Sequence, residues 1–311
     1  VAEVLPHAGP RGRQSPDGWR GQLIAVTGPG GTGASVMAMA LSQALGDDAR
    51  NAGHVLLADF ALHADQGMLH GSPDVVPGVS ELVEAHRTGN PDAAAVRSNT
   101  FDVAERGYQL LLGLRRRRHW AALRPRAVEA AVASLLQTYR HVVADVDADL
   151  DGDRECGSIE VEERNALART TIARADAVIV VGLPTLKGLH GLLRCLADLV
   201  DFGVAPPRLV PVVNQAPRSP RARAELAKAF ASLASGFVDP AALSSPVPVP
   251  TQRRWEEALR DGVRVPDGPG RLLLGAVDAV VGRTPSRPRA DEPVAIQPGT
   301  LGAYWDDRAV S

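Results

Sequence analysis

At 311 residues with 45% hydrophobic content, the chain can bury a sizeable core, and its length suits one large α/β domain or two small ones. A formal net charge of -2 excludes a globally basic nucleic-acid binder and leaves any such contact to local patches. The two cysteines, Cys156 and Cys195, share no metal-ligand spacing and form no disulfide framework, which points to a reducing cytoplasmic setting. No run approaches the roughly 18 consecutive apolar residues of a membrane-spanning helix, and the first residues lack a charged start followed by an apolar core.

Residues 1–20 mix Pro, Gly, Arg and Ser without periodicity and are expected to be flexible, as are residues 284–311; a single domain is expected over 21–283. Within it, short β-rich runs at 22–27, 54–59, 108–113, 141–146, 177–182, 208–214 and 246–249 predict strands. Helical patterns fall between and after them, at 35–45, 126–139 with Pro125 in the first turn, 186–202, 220–233, 254–260 and 271–281. Runs such as Ala177-Val-Ile-Val-Val181 are apolar on both faces, as strands are when helices cover both sides of a sheet. The alternation predicts an α/β fold with a doubly wound, mostly parallel sheet of about seven strands flanked by helices.

The first strand runs into Gly28-Pro29-Gly30-Gly31-Thr32-Gly33-Ala34-Ser35 and then a helix, the strand–loop–helix arrangement that cradles phosphates through backbone N–H groups and the helix dipole. Two patterns overlap there. Gly28, Gly30 and Gly33 fit the dinucleotide fingerprint, with Asp59 closing the next strand where a ribose-binding acid would sit. Gly28, Gly33 and Ser35 also fit the phosphate-loop motif, except that Ala34 stands where its lysine belongs. Ligands of open α/β sheets lie beyond the carboxyl ends of the strands, which adds Asp145 and Asn214 to the loop and Asp59 as candidates for one crevice.

Elsewhere, Asp147-Ala-Asp-Leu-Asp-Gly-Asp153 imitates the opening of a calcium loop but has Ser158 where the bidentate glutamate belongs, so it is expected to be a solvated acidic loop. Arg115, Arg116, Arg117 and Arg118 form the sharpest basic run, a candidate contact for an anionic partner. Lys187, one of only two lysines, is the sole candidate for a displaced phosphate lysine. The apolar helix at 272–281 is too short to span a bilayer.

Over residues 20–283 the chain resembles the MinD/ParA group of P-loop ATPases, and within it the CpaE/TadZ-type pilus-assembly proteins. The likeness rests on the glycine loop, on Val55-Leu-Leu-Ala-Asp-Phe-Ala-Leu-His-Ala-Asp-Gln-Gly-Met-Leu69 with Gly78-Val-Ser-Glu-Leu82, on Tyr139-Arg-His-Val-Val-Ala-Asp145, and on Ala175-Asp-Ala-Val-Ile-Val-Val181. Val212-Val-Asn214, Pro246-Val-Pro248 and Glu257-Ala-Leu-Arg-Asp-Gly262 complete it, in the family's order. The resemblance implies that Gly30, Gly31 and Gly33 wrap the phosphates of ATP or ADP. It further implies that Ser35 meets Mg²⁺, that Asp59 and Asp145 hold the metal's water shell, and that Asn214 reads adenine. It also implies a homodimer and a protein partner in a pilus, secretion or division machine, with any membrane association made through that partner. The family's two lysines fall on Pro29 and Ala34, and a carboxylate of the active ATPases falls on Ala61, so binding with weak or absent hydrolysis is expected. A nicotinamide-dependent oxidoreductase lacks a catalytic pair, since Tyr139 is followed four residues on by Val143; a nucleotide-free scaffold is the third reading.

Overall fold

The computed structural model describes residues 19–72, 76–237 and 243–282. The terminal segments expected to be flexible therefore lie outside the described residues, apart from Trp19 and Arg20. Arg20 ion-pairs with Asp176.

The strands are β1 (Gln22–Thr27), β2 (Val55–Asp59), β3 (Phe101–Val103), β4 (Tyr108–Leu111), β5 (His141–Asp145), β6 (Ala177–Gly182), β7 (Leu209–Ala216) and β8 (Val247–Pro250). The helices, in chain order, are α1 (Ala34–Gly46), α2 (Gln66–Leu69), α3 (Val79–Thr88), α4 (Ala93–Arg97), α5 (Pro125–Thr138) and α6 (Asp153–Cys156). They continue with α7 (Ile159–Arg164), α8 (Ala166–Arg174), α9 (Leu186–Asp201), α10 (Pro220–Ala234), α11 (Trp255–Arg260) and α12 (Asp267–Val281). One sheet of eight strands runs β3-β4-β2-β5-β1-β6-β7-β8, parallel throughout except for β3.

Period-two alternation divides the core. Leu23, Ala25, Leu56, Ala58, Val142, Val178 and Val180 face the layer of α3, α5, α8 and α9, whereas Ile24, Val26, Leu57, Val143 and Ile179 face α1 and α12. Side-chain caps start several helices: Thr185 accepts from Gly188 N at 3.0 Å at the head of α9, and Ser219 accepts from Ala222 N at 3.1 Å before Pro220 opens α10.

The sheet has eight strands where about seven were expected. The extra one, β3, is only three residues long, too short to display an alternation, and it pairs antiparallel with β4 through a turn in which Gly107 takes φ 75°. Helices α2, α3, α4, α6, α7 and α8 are additional to those expected. Helix α12 starts at Asp267 rather than 271, because Pro269 is tolerated in a first turn and Gly270 has a packing role. A Cβ on Gly270 would lie 2.3 Å from Ala40 O and 2.9 Å from Ala44 Cβ, so this glycine lets α12 lie against α1. Gly270→Val is expected to lower stability by about 3 kcal/mol through overpacking. Gly275→Ala on the same helix, where a Cβ meets open space, is expected to gain about 0.5–1 kcal/mol; urea denaturation of the pair checks both.

Candidate functional site

Chain direction across the sheet reverses around β1, which has β5 and then β2 on one side and β6, β7 and β8 on the other. The crevice beyond the carboxyl ends of these strands is where such sheets bind ligands. A dinucleotide-binding sheet sets its second strand directly beside the first. Here β5 is inserted between them, so Asp145, and not Asp59, flanks the glycine loop: Asp145 is in register with Val26 and Asp59 with Asp145.

The loop is formed by its own contacts. A Cβ on Gly28 would lie 2.3 Å from Val181 O, so the chain leaves β1 pressed against β6. Gly31 and Gly33 take φ 79° and 87°, a left-handed conformation that glycine adopts without penalty. Buried Thr32 donates its hydroxyl to Pro29 O at 2.8 Å, and Asn214 Nδ2 donates to Thr32 O at 2.9 Å. Pro29 packs toward α9, its Cγ 3.2 Å from where a Cβ on Gly191 would lie. Gly30 and Gly31 are exposed with open space above them. Helix α1 begins at Ala34 with no side-chain cap and no acid in its first turn, which leaves its first N–H groups open to an anion.

Asn214 owes its aim to an irregularity: the pairing of β7 with β8 shifts register between Asn214 and Ala216, and Gln215 takes φ 57°. The Asn214 Oδ1 accepts from Gln215 N at 2.8 Å. Both ends of this amide thus hold protein groups, and its observed task is clamping the loop. A Cβ on Gly33 would lie 2.6 Å from Asn214 Nδ2. Gly33→Ala is therefore expected to add this clash to a left-handed penalty of about 1–2 kcal/mol, whereas Gly31→Ala carries the penalty alone. Parallel denaturation curves should separate the two, with the Gly33 variant the less stable.

On the α1 face, Asp59 and Asp145 are 0% and 3% exposed. Asp59 accepts from Gln66 N at 2.9 Å and Ala61 N at 3.4 Å, so its carboxylate organises the loop from 60 to 66 and is not offered to a ribose. Asp145 accepts from Gln66 Nε2 at 2.8 Å and from the Ser35 hydroxyl. Burial, and then the charge of Asp145, pushes the Asp59 carboxyl well above the usual carboxylate range. Burial also lifts Asp145 to about 6, against the pull of its Gln66 and Ser35 hydrogen bonds. Among the described residues neither carboxylate has a Lys or Arg partner. The Asp145 carboxylate, the Ser35 hydroxyl and the Gln66 amide oxygen, which has no donor among the described residues, are hard oxygens of the kind Mg²⁺ takes.

Gln66 was not among the residues expected here, and it ties the cluster together. Beyond its bonds to both acids, Nε2 donates to Ser35 O at 3.0 Å. His70 holds it from behind. Burial lowers His70 to about 4, so the ring is neutral. Its Nδ1, 2.7 Å from the accepting Gln66 O, carries the proton, and Nε2 accepts from the Tyr108 hydroxyl at 2.7 Å.

The remaining candidates lie apart from this cluster. Lys187 is exposed in the first turn of α9 without an ion pair among the described residues. The arginine run follows β4; Arg115 bridges Glu81 at 2.7 Å, Arg117 lies 3.4 Å from His63, and Arg116 and Arg118 are exposed. The acidic loop is held by protein groups: Asp147 accepts from Leu62 N at 2.6 Å, and Asp149 from Arg164 at 2.7 Å and Asn165 at 3.0 Å. Cys156 and Cys195 are free thiols. No helix among the described residues is long and apolar enough to cross a membrane.

No family model matches the sequence, and no curated protein matches it significantly. Solved structures do match. A ParA family ATPase from Chlorobium tepidum aligns at 16% identity with a TM-score of 0.59, over 84% of this chain and 97% of that one. The cell division ATPase MinD from Pyrococcus furiosus aligns at 18% identity and TM-score 0.56, over 85% of this chain and 100% of its own. A putative plasmid partition protein from Borrelia burgdorferi, bound to AMPPNP, aligns at 13% identity and TM-score 0.56, over 84% and 98%. The chain has the fold of the P-loop NTPases, in the arrangement of the ParA and MinD ATPases.

Proposed function

We propose that this chain is a nucleotide-binding regulator of the MinD/ParA type, which holds ATP or ADP with Mg²⁺ and turns it over slowly or not at all. The observation that carries the reading is the preformed glycine loop. Gly30 and Gly31 stand open at the uncapped start of α1, while Pro29 and Ala34 occupy the positions of the two lysines. Backbone N–H groups of Gly28 to Ser35 would grip the phosphates, and Ser35 with Asp145 would hold the hydrated Mg²⁺, Asp59 shaping the loop behind them. When bound, Mg²⁺ would neutralise phosphate charge. Phosphoryl transfer depends on positioned cations and a positioned water, and Ala34, Pro29 and Ala61 supply none. Asn214 would border the adenine side.

The reading extends to a single domain over 21–283, a homodimer, and a place in a pilus, secretion or division-positioning machine of the CpaE/TadZ kind. It supposes a cytoplasmic protein that reaches the membrane only through its partner. The run Arg115 to Arg118, on the same edge of the sheet as the crevice, would contribute an anionic contact. Calorimetric titration with Mg²⁺-ATP and with NADPH tests the reading. Heat with ATP and none with NADPH is expected; binding of NADPH alone sinks it. A phosphate-release assay is expected to stay near background, and robust turnover would contradict the claimed inactivity.

A further inference from the structure

We propose that Gln66 faces the divalent cation of the crevice, its Oε1 completing with Asp145 and Ser35 an oxygen cage around a hydrated metal ion. The inference rests on the Mg²⁺ reading above and adds to it a residue on a different element. Gln66 is 0% exposed. Its side-chain nitrogen reaches Ser35 O at 3.0 Å and Asp145 Oδ2 at 2.8 Å, and the Ser35 carbonyl can only accept. The nitrogen must therefore sit there, and the orientation of the amide is settled by chemistry.

Oε1 is left buried without a donor. Such an oxygen carries its full desolvation cost unless something supplies positive charge or a proton to it. Among the described residues no hydrogen-bond donor is offered to it. The same residue binds the carboxylates of Asp59 through its N–H and of Asp145 through Nε2, and neither carboxylate has a Lys or Arg paired to it among the described residues. Oxygen acceptors gathered in this way suit a small hard dication that keeps part of its water shell, each bound water donating to an outer acceptor such as Oε1. The site is also preorganised: Gln66 N bonds Asp59 at 2.9 Å, and Gln66 O is held by His70 Nδ1 at 2.7 Å. Nothing needs to fold around the ion.

The test uses the full chain with Mn²⁺ as the probe, free ion counted by electron paramagnetic resonance with and without ATP, and melting temperature followed in Mg²⁺. Gln66→Met removes both the donor and the acceptor at similar volume; Gln66→Glu removes the donor and keeps the acceptor. Expected is a Mn²⁺ affinity about tenfold weaker for the Met variant. The Glu variant should bind at least as tightly as wild type, with a melting temperature more dependent on Mg²⁺. Equal losses in both variants would assign Gln66 to tethering alone and overturn the proposal, as would wild-type affinity in the Met variant. If the Met variant does not fold, Gln66→Asn, which withdraws the amide by one methylene, is read by the same criteria. Asp145→Asn separates the two levels: Mn²⁺ uptake lost there but intact in Gln66→Met sinks the role of Gln66 alone. No uptake by wild type, with or without ATP, sinks the Mg²⁺ reading as well.

Discussion

Replacing Ala34 with lysine is expected to tighten Mg²⁺-ATP binding by about ten- to a hundred-fold, the worth of one charge-assisted hydrogen bond of roughly 1.5–3 kcal/mol. Ala34 is the first residue of α1, where the phosphate-loop pattern places its ammonium. The gain should be large because the loop is already ordered. Thr32 is held by Pro29 and Asn214, and Gly28 is pressed on β6, so a new lysine has little loop-ordering entropy to overcome. Gly30 and Gly31 leave open space for the phosphates. Calorimetry on wild type and Ala34→Lys measures the effect directly. Hydrolysis should stay near background in the variant, because Pro29 and Ala61 still supply no second cation and no carboxylate for the attacking water. An unchanged affinity would show that this turn does not face phosphates. Fast turnover from the single substitution would show instead that Pro29 and Ala61 are immaterial to the chemistry.

The loop was legible in the sequence because glycine at positive φ and a strand-to-helix transition both leave local marks; Gly31 and Gly33 needed no tertiary information. Asp59, Asp145 and Asn214 were legible as strand-end residues, and all three do sit at the carboxyl edge. Which of the acids lies beside the loop was not. Insertion of β5 between β1 and β2 is a non-local pairing choice, and it alone decides that Asp145 flanks the loop while Asp59 lies one strand further out. Gln66 escaped because it lies seven residues beyond its strand, and only the folding back of the segment from 60 to 66 around the Asp59 carboxylate brings it in. The signal that existed was its place in the run from Val55 to Leu69 that carries the family resemblance, which gave the residue no role of its own. Asn214 was expected to read adenine, and its inward turn depends on Gln215 adopting φ 57°, which glycine would have advertised and glutamine does not.

The Asp145→Asn variant is expected to be more stable than wild type in metal-free buffer at neutral pH, by about 3 kcal/mol, and the advantage should vanish toward pH 4. Asp145 is held at about 6 in the fold against an ordinary value of 3.8. Between these values the folded state binds the proton that the unfolded chain has released, so this carboxyl's contribution falls as pH rises and the full penalty, about 3 kcal/mol at 1.36 kcal/mol per unit, stands above pH 6. Asparagine removes the charge and keeps one acceptor oxygen for Gln66 Nε2, which removes that penalty. His70 acts in the opposite sense. Lowered from 6.5 to about 4, it stays neutral in the fold while the unfolded chain takes up a proton, so its contribution is complete above pH 6.5 and declines as pH falls to 4. The two windows overlap, and the wild-type profile between pH 4 and 6.5 should be flatter than either group alone would make it. Urea denaturation of both proteins across pH 4–8 in chelator reads the difference. Repeating it in Mg²⁺ supplies the link to the crevice: a cation favours the ionised carboxylate, so Mg²⁺ should stabilise wild type, leave Asp145→Asn unmoved, and narrow the gap at neutral pH. A variant no more stable than wild type at pH 7 would show that the Asp145 charge is already compensated in the fold.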